Sequence, residues 1–228
     1  YKNINTINNL EMKVPLIITD SDKDKVELIY EMDTVNDGMK KSKVTIDISD
    51  KSKALFKDLD DDELEEKIMN LIDINLINGK DNGYFGYDDL TNRAEFLTVL
   101  GRLADIFNLS DISNGDSIYK DVDKTSYYNK YILWADELGL IEGFNGKFMP
   151  NDPITIEESA KILDKFLLEY DIELEEVEFE GDIDYKNLSL WAEESVLNLS
   201  NKKILYKNKE KTIRPKENIS RIDLVNIA

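Results

Sequence analysis

In a chain with 48 acidic and 29 basic residues, two arginines hold matching places in a repeated tetrad. Arg93 lies in Asn92-Arg93-Ala94-Glu95 and Arg221 in Ser220-Arg221-Ile222-Asp223. A third tetrad, Thr155-Ile156-Glu157-Glu158, stands between them, 63 residues after the first and 65 before the last. Each opens on a small polar residue, carries an acid three places on, and runs into apolar sequence. That is the capping box of a helix start: the first side chain accepts from an orphan backbone N–H, and the acid reaches back to the cap's own N–H. Glu95, Glu158 and Asp223 are read first as caps, each contributing about 1 kcal/mol, with Glu95 and Glu158 standing also as candidate ligand contacts, and negative charge suits the positive end of the helix dipole. Capping does not call for arginine. A guanidinium beside a helix N-terminus reads instead as an anion clamp, its fork of donors matched to a carboxylate where backbone N–H groups already favour negative charge. The alternative for Arg93 and Arg221 is a surface ion pair worth about 0–1 kcal/mol. Ile156 breaks the pattern in the second tetrad, so one or two working clamps are expected, not three.

Other residues recur with the tetrads. Ten places before each terminal acid stands an apolar residue: Phe85, Phe148 and Ile213. Further upstream an aromatic precedes an acid, in Phe56-Lys57-Asp58, Tyr119-Lys120-Asp121 and Phe179-Glu180-Gly181-Asp182. Asp58, Asp121 and Asp182 are suited to hydrogen-bond either ligand hydroxyls or turn amides. Gly79 and Gly143 either let a ligand approach the backbone or end a helix. Trp134 and Trp191 are able to stack on a flat ligand face, although an aromatic on an apolar helix face is more often core.

The elements that must position these groups follow from the repetition. Between the markers each unit has an amphipathic segment ending in an aliphatic pair: Leu76-Ile77, Leu140-Ile141 or Ile204-Leu205. The unit is therefore an aromatic-acid start, a helix, a turn, a short extended piece and a capped second helix. In the first copy Ile68, Leu71, Ile72 and Leu76 share a face of a helix expected to run to about Asn75, and Phe96, Val99, Leu100 and Leu103 point inward from the second. In the next, a helix is expected over 125–138, and Ala160, Leu163, Phe166 and Leu167 form a stripe after Thr155. The third copy has diverged: Trp191-Ala192 lead a helix carrying Val196 and Leu199, and its turn, Lys207 to Lys211, is basic and lacks glycine.

This arrangement resembles the S-layer homology repeat, over about 178 of the 228 residues. The resemblance implies a mainly α fold of three helix-loop-helix repeats in a pseudo-threefold bundle, at 51–110, 111–172 and a divergent 173–228, preceded by a β-rich segment at 1–50. It implies an extracellular, non-enzymatic module of the cell wall or S-layer that anchors a surface protein non-covalently. Its expected partner is a secondary cell wall polymer bearing a pyruvylated amino sugar, bound in grooves between repeats to which the tetrad arginines contribute. Self-association in a surface array is a second implied role. No cofactor and no metal are required.

Composition narrows the rival classes. A formal charge of −19 opposes binding to nucleic acid, which needs clustered basic residues. No apolar run approaches the roughly 18 residues of a membrane span, so no membrane insertion is expected, and no signal peptide is visible. Opening at Tyr1 rather than Met and closing at Ala228 within a helical pattern, the sequence reads as a piece of a longer protein. Cysteine and histidine are both absent, excluding disulfides, Ser-His-Asp and Cys-His catalysis and ordinary zinc sites. A carbohydrate-active enzyme using paired acids is the rival from another class, but spacing picks out no pair from the capping and surface acids. In residues 1–50, the runs 12–19, 26–32 and 43–48 read as strands, with Pro15 marking an edge or a start. Asp20, Asp22 and Asp24, with Glu31 at the twelfth place, begin like a calcium loop, but Lys25 replaces the required glycine and the flanks read as strand, so a solvated loop is expected.

Overall fold

The computed structural model describes residues 25–34, 38–47, 56–59, 61–80, 83–112, 115, 117–202, 204 and 212–227. The chain divides into two compact units, Tyr1–Ala54 and Leu55–Ala228. In the first, β1 (Lys25–Thr34) and β2 (Gly38–Asp47) form an antiparallel hairpin, with Lys25 opposite Asp47 and Thr34 opposite Gly38. The register sets Val26 against Ile46 and Leu28 against Val44. These are the second and third expected strands. The first, at 12–19, and the acids Asp20, Asp22 and Asp24 lie outside the described residues.

The second unit is mainly helical. Its helices are α1 (Asp62–Asp73), α2 (Arg93–Ile106), α3 (Asn129–Glu137), α4 (Ile156–Glu169), α5 (Glu193–Ser200) and α6 (Arg221–Ile227). A two-residue parallel pair, β3 (Asp182–Ile183) with β4 (Thr212–Ile213), completes it, and Asp182 stands opposite Thr212 there. α2 packs on α3 and α4 on α5, so the capped helix of one unit lies against the first helix of the next. One apolar cluster joins these helices, from Phe56 and Ile68 through Phe96, Ile132 and Phe166 to Val196 and Val225. Among the described residues no helix is long and apolar enough to cross a membrane.

Helix starts follow local chemistry. Asp61 caps α1 by accepting from the N–H groups of Glu63 and Leu64, each at 3.0 Å. α3 begins at Asn129, four residues later than expected, because the Asp123 carboxylate takes the Thr125 N–H and hydroxyl and the Ser126 N–H bonds the Asp123 carbonyl. That side-chain turn competes with helix.

Helix ends correct one expectation. The left-handed residues that close α1, α2, α3 and α4 are Asn75, Asn108, Gly139 and Asp171, each followed by a residue whose N–H reaches back five places: Leu76 to Leu71, Leu109 to Ala104, Leu140 to Ala135 and Ile172 to Leu167. Gly79 and Gly143 therefore do not end helices. A Cβ on Gly79 would enter the Phe56 ring, and one on Gly143 would meet the Tyr119 ring and sit 2.7 Å from the Lys147 carbonyl. Both glycines are there because the aromatic that starts each unit lies flat on its own turn.

Three buried residues close the unit on itself. Thr91 donates its N–H to the Ile219 carbonyl at 2.9 Å, Ile219 to Ile154 at 3.0 Å, and Ile154 to Thr91 at 3.0 Å. This ring lies just before the three tetrads, so it draws the three capped helix starts together. Each start then spends its orphan N–H groups on the loop of another unit. Arg93 and Ala94 donate to Asp152 and Pro150, Ile156 and Glu157 to Glu217 and Pro215, and Arg221 and Ile222 to Asp89 and Tyr87.

Candidate functional site

The tetrads form reciprocal caps. Asn92 Oδ1 accepts from the Glu95 N–H at 2.8 Å and Glu95 Oε2 from the Asn92 N–H at 3.0 Å. Thr155 and Glu158 repeat this at 3.3 and 3.0 Å, and Ser220 and Asp223 at 3.4 and 2.7 Å. In each case one carboxylate oxygen is consumed locally. The other is what separates the three junctions.

Arg93 lies across the junction with α4. Its Nε donates to the Phe148 carbonyl at 3.1 Å, its guanidinium carbon stands 4.7 Å from the centre of the Phe148 ring, and NH1 is 3.7 Å from Glu158 Oε1. Arg221 repeats the pose on the first unit: Nε to the Phe85 carbonyl at 2.9 Å, 4.8 Å from the Phe85 ring centre, NH1 3.7 Å from Glu95 Oε1, with NH2 also donating to the Asn78 carbonyl at 2.6 Å. Both side chains are 12% exposed, and their glutamates 35% and 27%. The ring and carbonyl fix each guanidinium plane. At 3.7 Å the glutamate is an ion-pair partner beyond hydrogen-bond length, so the NH1 end can still donate to a closer acceptor. No hydrogen bond ties NH1 of either arginine among the described residues.

Asp58 and Asp121 hold these perches. Asp58 accepts from the N–H groups of Phe85, Gly86 and Tyr87 at 2.7, 2.7 and 3.0 Å, and Asp121 from Phe148 and Met149 at 2.9 and 2.8 Å. Burial opposes ionisation of Asp58, but the three N–H groups outweigh it and hold the carboxyl below its ordinary value. Asp121 is likewise lowered, against burial, by the N–H groups of Phe148 and Met149 and by the nearby Lys147 charge. Of the two roles expected for these acids, the turn amides occupy them. The hydroxyl of Tyr119, 2.5 Å from Asp136, is pushed up to about 12 by burial and by that bond.

The tryptophans part company. Trp134 is 4% exposed, packs edge-on to Phe166 and donates its ring N–H to the Tyr170 hydroxyl at 3.1 Å. It is a core residue with no face left for a sugar, which corrects its candidacy. Trp191 is 52% exposed, two residues ahead of α5. Tyr127, 58% exposed, stands two residues ahead of α3. Its phenol is raised first by burial and then by Glu95, while Arg102 and Arg221 act in the opposite sense. The sequence reading missed Tyr127, and it missed the rings and carbonyls of Phe85 and Phe148 as supports for the arginines. The tenth-place spacing marked the two phenylalanines, but only as apolar.

At the remaining junction Ile156 stands in the arginine's place, buried at 3%. Asp223 is buried too, and its Oδ1 has no hydrogen-bond partner among the described residues. Glu157 is held across the same junction by the Ser189 N–H and hydroxyl, both at 3.0 Å, and by Lys216. At this junction apolar packing of Ile156 replaces the guanidinium, and the buried Glu157 pairs with Lys216, whose side chain is 54% exposed. Among the described residues no group of three or more acids, histidines or cysteines is placed to hold a metal ion.

The S-layer homology domain model matches residues 118–158 and 184–225. The surface-layer 125 kDa protein of Lysinibacillus sphaericus is 30% identical over 133 residues, covering 56% of this chain and 10% of that protein. The middle cell wall protein of Brevibacillus brevis is 26% identical over 104 residues, 45% of this chain and 10% of its own length. A cell surface protein of Thermoanaerobacter kivui is 31% identical over 102 residues, 43% of this chain and 13% of its own length. The chain thus spans only about a tenth of the length of these curated relatives. Two stretches of it match the S-layer homology domain model, and it is extracellular and cell-wall-associated, as these relatives indicate.

Proposed function

We propose that this protein is a non-enzymatic anchor that holds a surface protein on the bacterial wall by binding an acidic secondary wall polymer, with a pyruvyl carboxylate gripped by Arg93 and by Arg221. The observation that carries this reading is the shared pose of the two arginines: plane fixed on a phenylalanine, Nε spent on a carbonyl, NH1 left beside a glutamate too distant to hydrogen-bond. A carboxylate meeting such a preset guanidinium gains charge-assisted bonds without ordering a free side chain.

Residues 56–106 are, on this reading, a third repeat lying before the matched stretches. Asp58 takes the turn amides as Asp121 does, Phe56 covers Gly79 as Tyr119 covers Gly143, and Arg102 donates to Leu76 at 3.1 Å as Lys165 donates to Gly139 at 2.8 Å. The ring of Thr91, Ile154 and Ile219 is the axis of the pseudo-threefold bundle. Two junctions then serve as binding crevices, and the one sealed by Ile156 is structural. The test is sedimentation with purified cell walls: retention of the protein with no sugar released supports the anchor. Sugar release with turnover supports the enzyme rival and overturns it.

A further inference from the structure

Each anion clamp carries an anion of its own. NH1 of Arg93 stands 3.7 Å from Glu158 Oε1, and NH1 of Arg221 stands 3.7 Å from Glu95 Oε1. An acceptor bonded to either NH1 at about 2.9 Å therefore lies no farther than about 6.6 Å from the glutamate oxygen, and at that range a second negative charge is opposed. The cap does not need this oxygen. Glu95 Oε2 takes the Asn92 N–H, and Glu158 Oε2 takes the Thr155 N–H and hydroxyl. Neither Oε1 accepts a hydrogen bond among the described residues. Asp223, one methylene shorter, accepts the Ser220 N–H at 2.7 Å to make the same cap, and its spare oxygen is buried. The longer acid thus stands at the two junctions that hold an arginine, the shorter one where Ile156 replaces it. Both glutamate side chains are part-exposed, and an ion pair so exposed adds little to stability.

We propose that Glu95 and Glu158 set the specificity of the two crevices. The spare Oε1 accepts a hydrogen bond from a hydroxyl or amide N–H of the same sugar whose carboxylate sits on the neighbouring NH1. Each crevice then reads two groups side by side, an acceptor for the guanidinium and a donor for the glutamate. A carboxylate that brings no donor meets the glutamate's charge with nothing to offset it, and that repulsion selects against it. A sugar that brings the donor leaves neither charge unpaired, and a site built for a hydroxyl disfavours the analogue lacking one. The inference rests on the anchoring reading and adds the ligand class to it: a carboxylate with a hydroxyl or N–H beside it, as opposed to a bare anion.

The test is an NMR titration of the full chain that follows the Nε–H signals of Arg93 and Arg221, in wild type and in the double variant Glu95→Gln, Glu158→Gln. Glutamine serves in a capping box as glutamate does, and it turns an NH2 donor toward the crevice in place of the spare oxygen. The probes are pyruvate-ketal-bearing N-acetylmannosamine and acetate, a carboxylate with neither hydroxyl nor N–H. The double variant is expected to bind the sugar about tenfold more weakly, the range of one hydrogen bond to a charged group, and to bind acetate at least as tightly as wild type does. Sugar affinity that holds or rises in the variant, or a loss that acetate shares, overturns the specificity role while the anchor stands. A wild-type chain that does not bind the sugar overturns the anchor, and this inference with it.

Discussion

Replacing Asp58 by Ala removes the acceptor of three backbone N–H groups at once, those of Phe85, Gly86 and Tyr87. A hydrogen bond to a charged acceptor is worth about 1.5–3 kcal/mol, but these groups are only part-buried and water takes over some of them, so about 3 kcal/mol in total is expected. In a unit of this size that lowers the melting temperature by about 6–12 °C. A second effect follows from position. Phe85 supplies both the carbonyl and the ring that hold Arg221, so anion affinity at Arg221 falls while that at Arg93, supported through Asp121 and Phe148, is kept. The pH dependence has a definite sign. The Asp58 carboxyl is lowered in the fold from its ordinary 3.8, so its stabilisation is complete above that value and is lost as pH falls through the lower folded one. Melts followed by circular dichroism should show a constant gap between wild type and Asp58→Ala from about pH 7 to 5, closing in stronger acid. A variant melting within about 2 °C of wild type at neutral pH, or a gap that widens in acid, would refute the reasoning.

Two further outcomes follow. Gly143→Ala drives a methyl group into the Tyr119 ring and the Lys147 carbonyl, and should lower stability by about 1–3 kcal/mol in denaturant unfolding, as overpacking does; an unchanged midpoint contradicts the packing role. Salt should weaken docking only modestly, because the long-range field of a −19 chain opposes an anionic polymer and screening relieves that repulsion; a steep log-linear loss of affinity with salt contradicts this.

The parts of the fold that were legible in the sequence are those decided within one turn of chain. Asn92 with Glu95 and Thr155 with Glu158 are capping boxes because the partners lie three residues apart, and such spacing is visible in a string of letters. A helix end stood open as a role for Gly79 because the group that forbids its side chain, the Phe56 ring, lies 23 residues upstream. The same distance problem hid the partners of Asp58, 27 to 29 residues away, and of Arg221, 136 residues away. Repetition partly substituted for contact information. It pointed to Phe85 and Phe148, but could not say that their rings and carbonyls support an arginine from another unit. Trp134 and Trp191 are each followed by alanine, yet one sits in the core and the other at the surface, because helix α3 starts upstream of the first and α5 starts downstream of the second.

The most direct measurement compares binding to wall polymer with and without its pyruvyl groups, for wild type, Arg93→Ala, Arg221→Ala and the double variant. If two preset guanidinium groups hold the carboxylate, each single variant loses one of two sites, the double variant loses binding, and polymer stripped of pyruvate binds wild type at least about tenfold more weakly. Equal binding by all four proteins to both polymers would contradict the account.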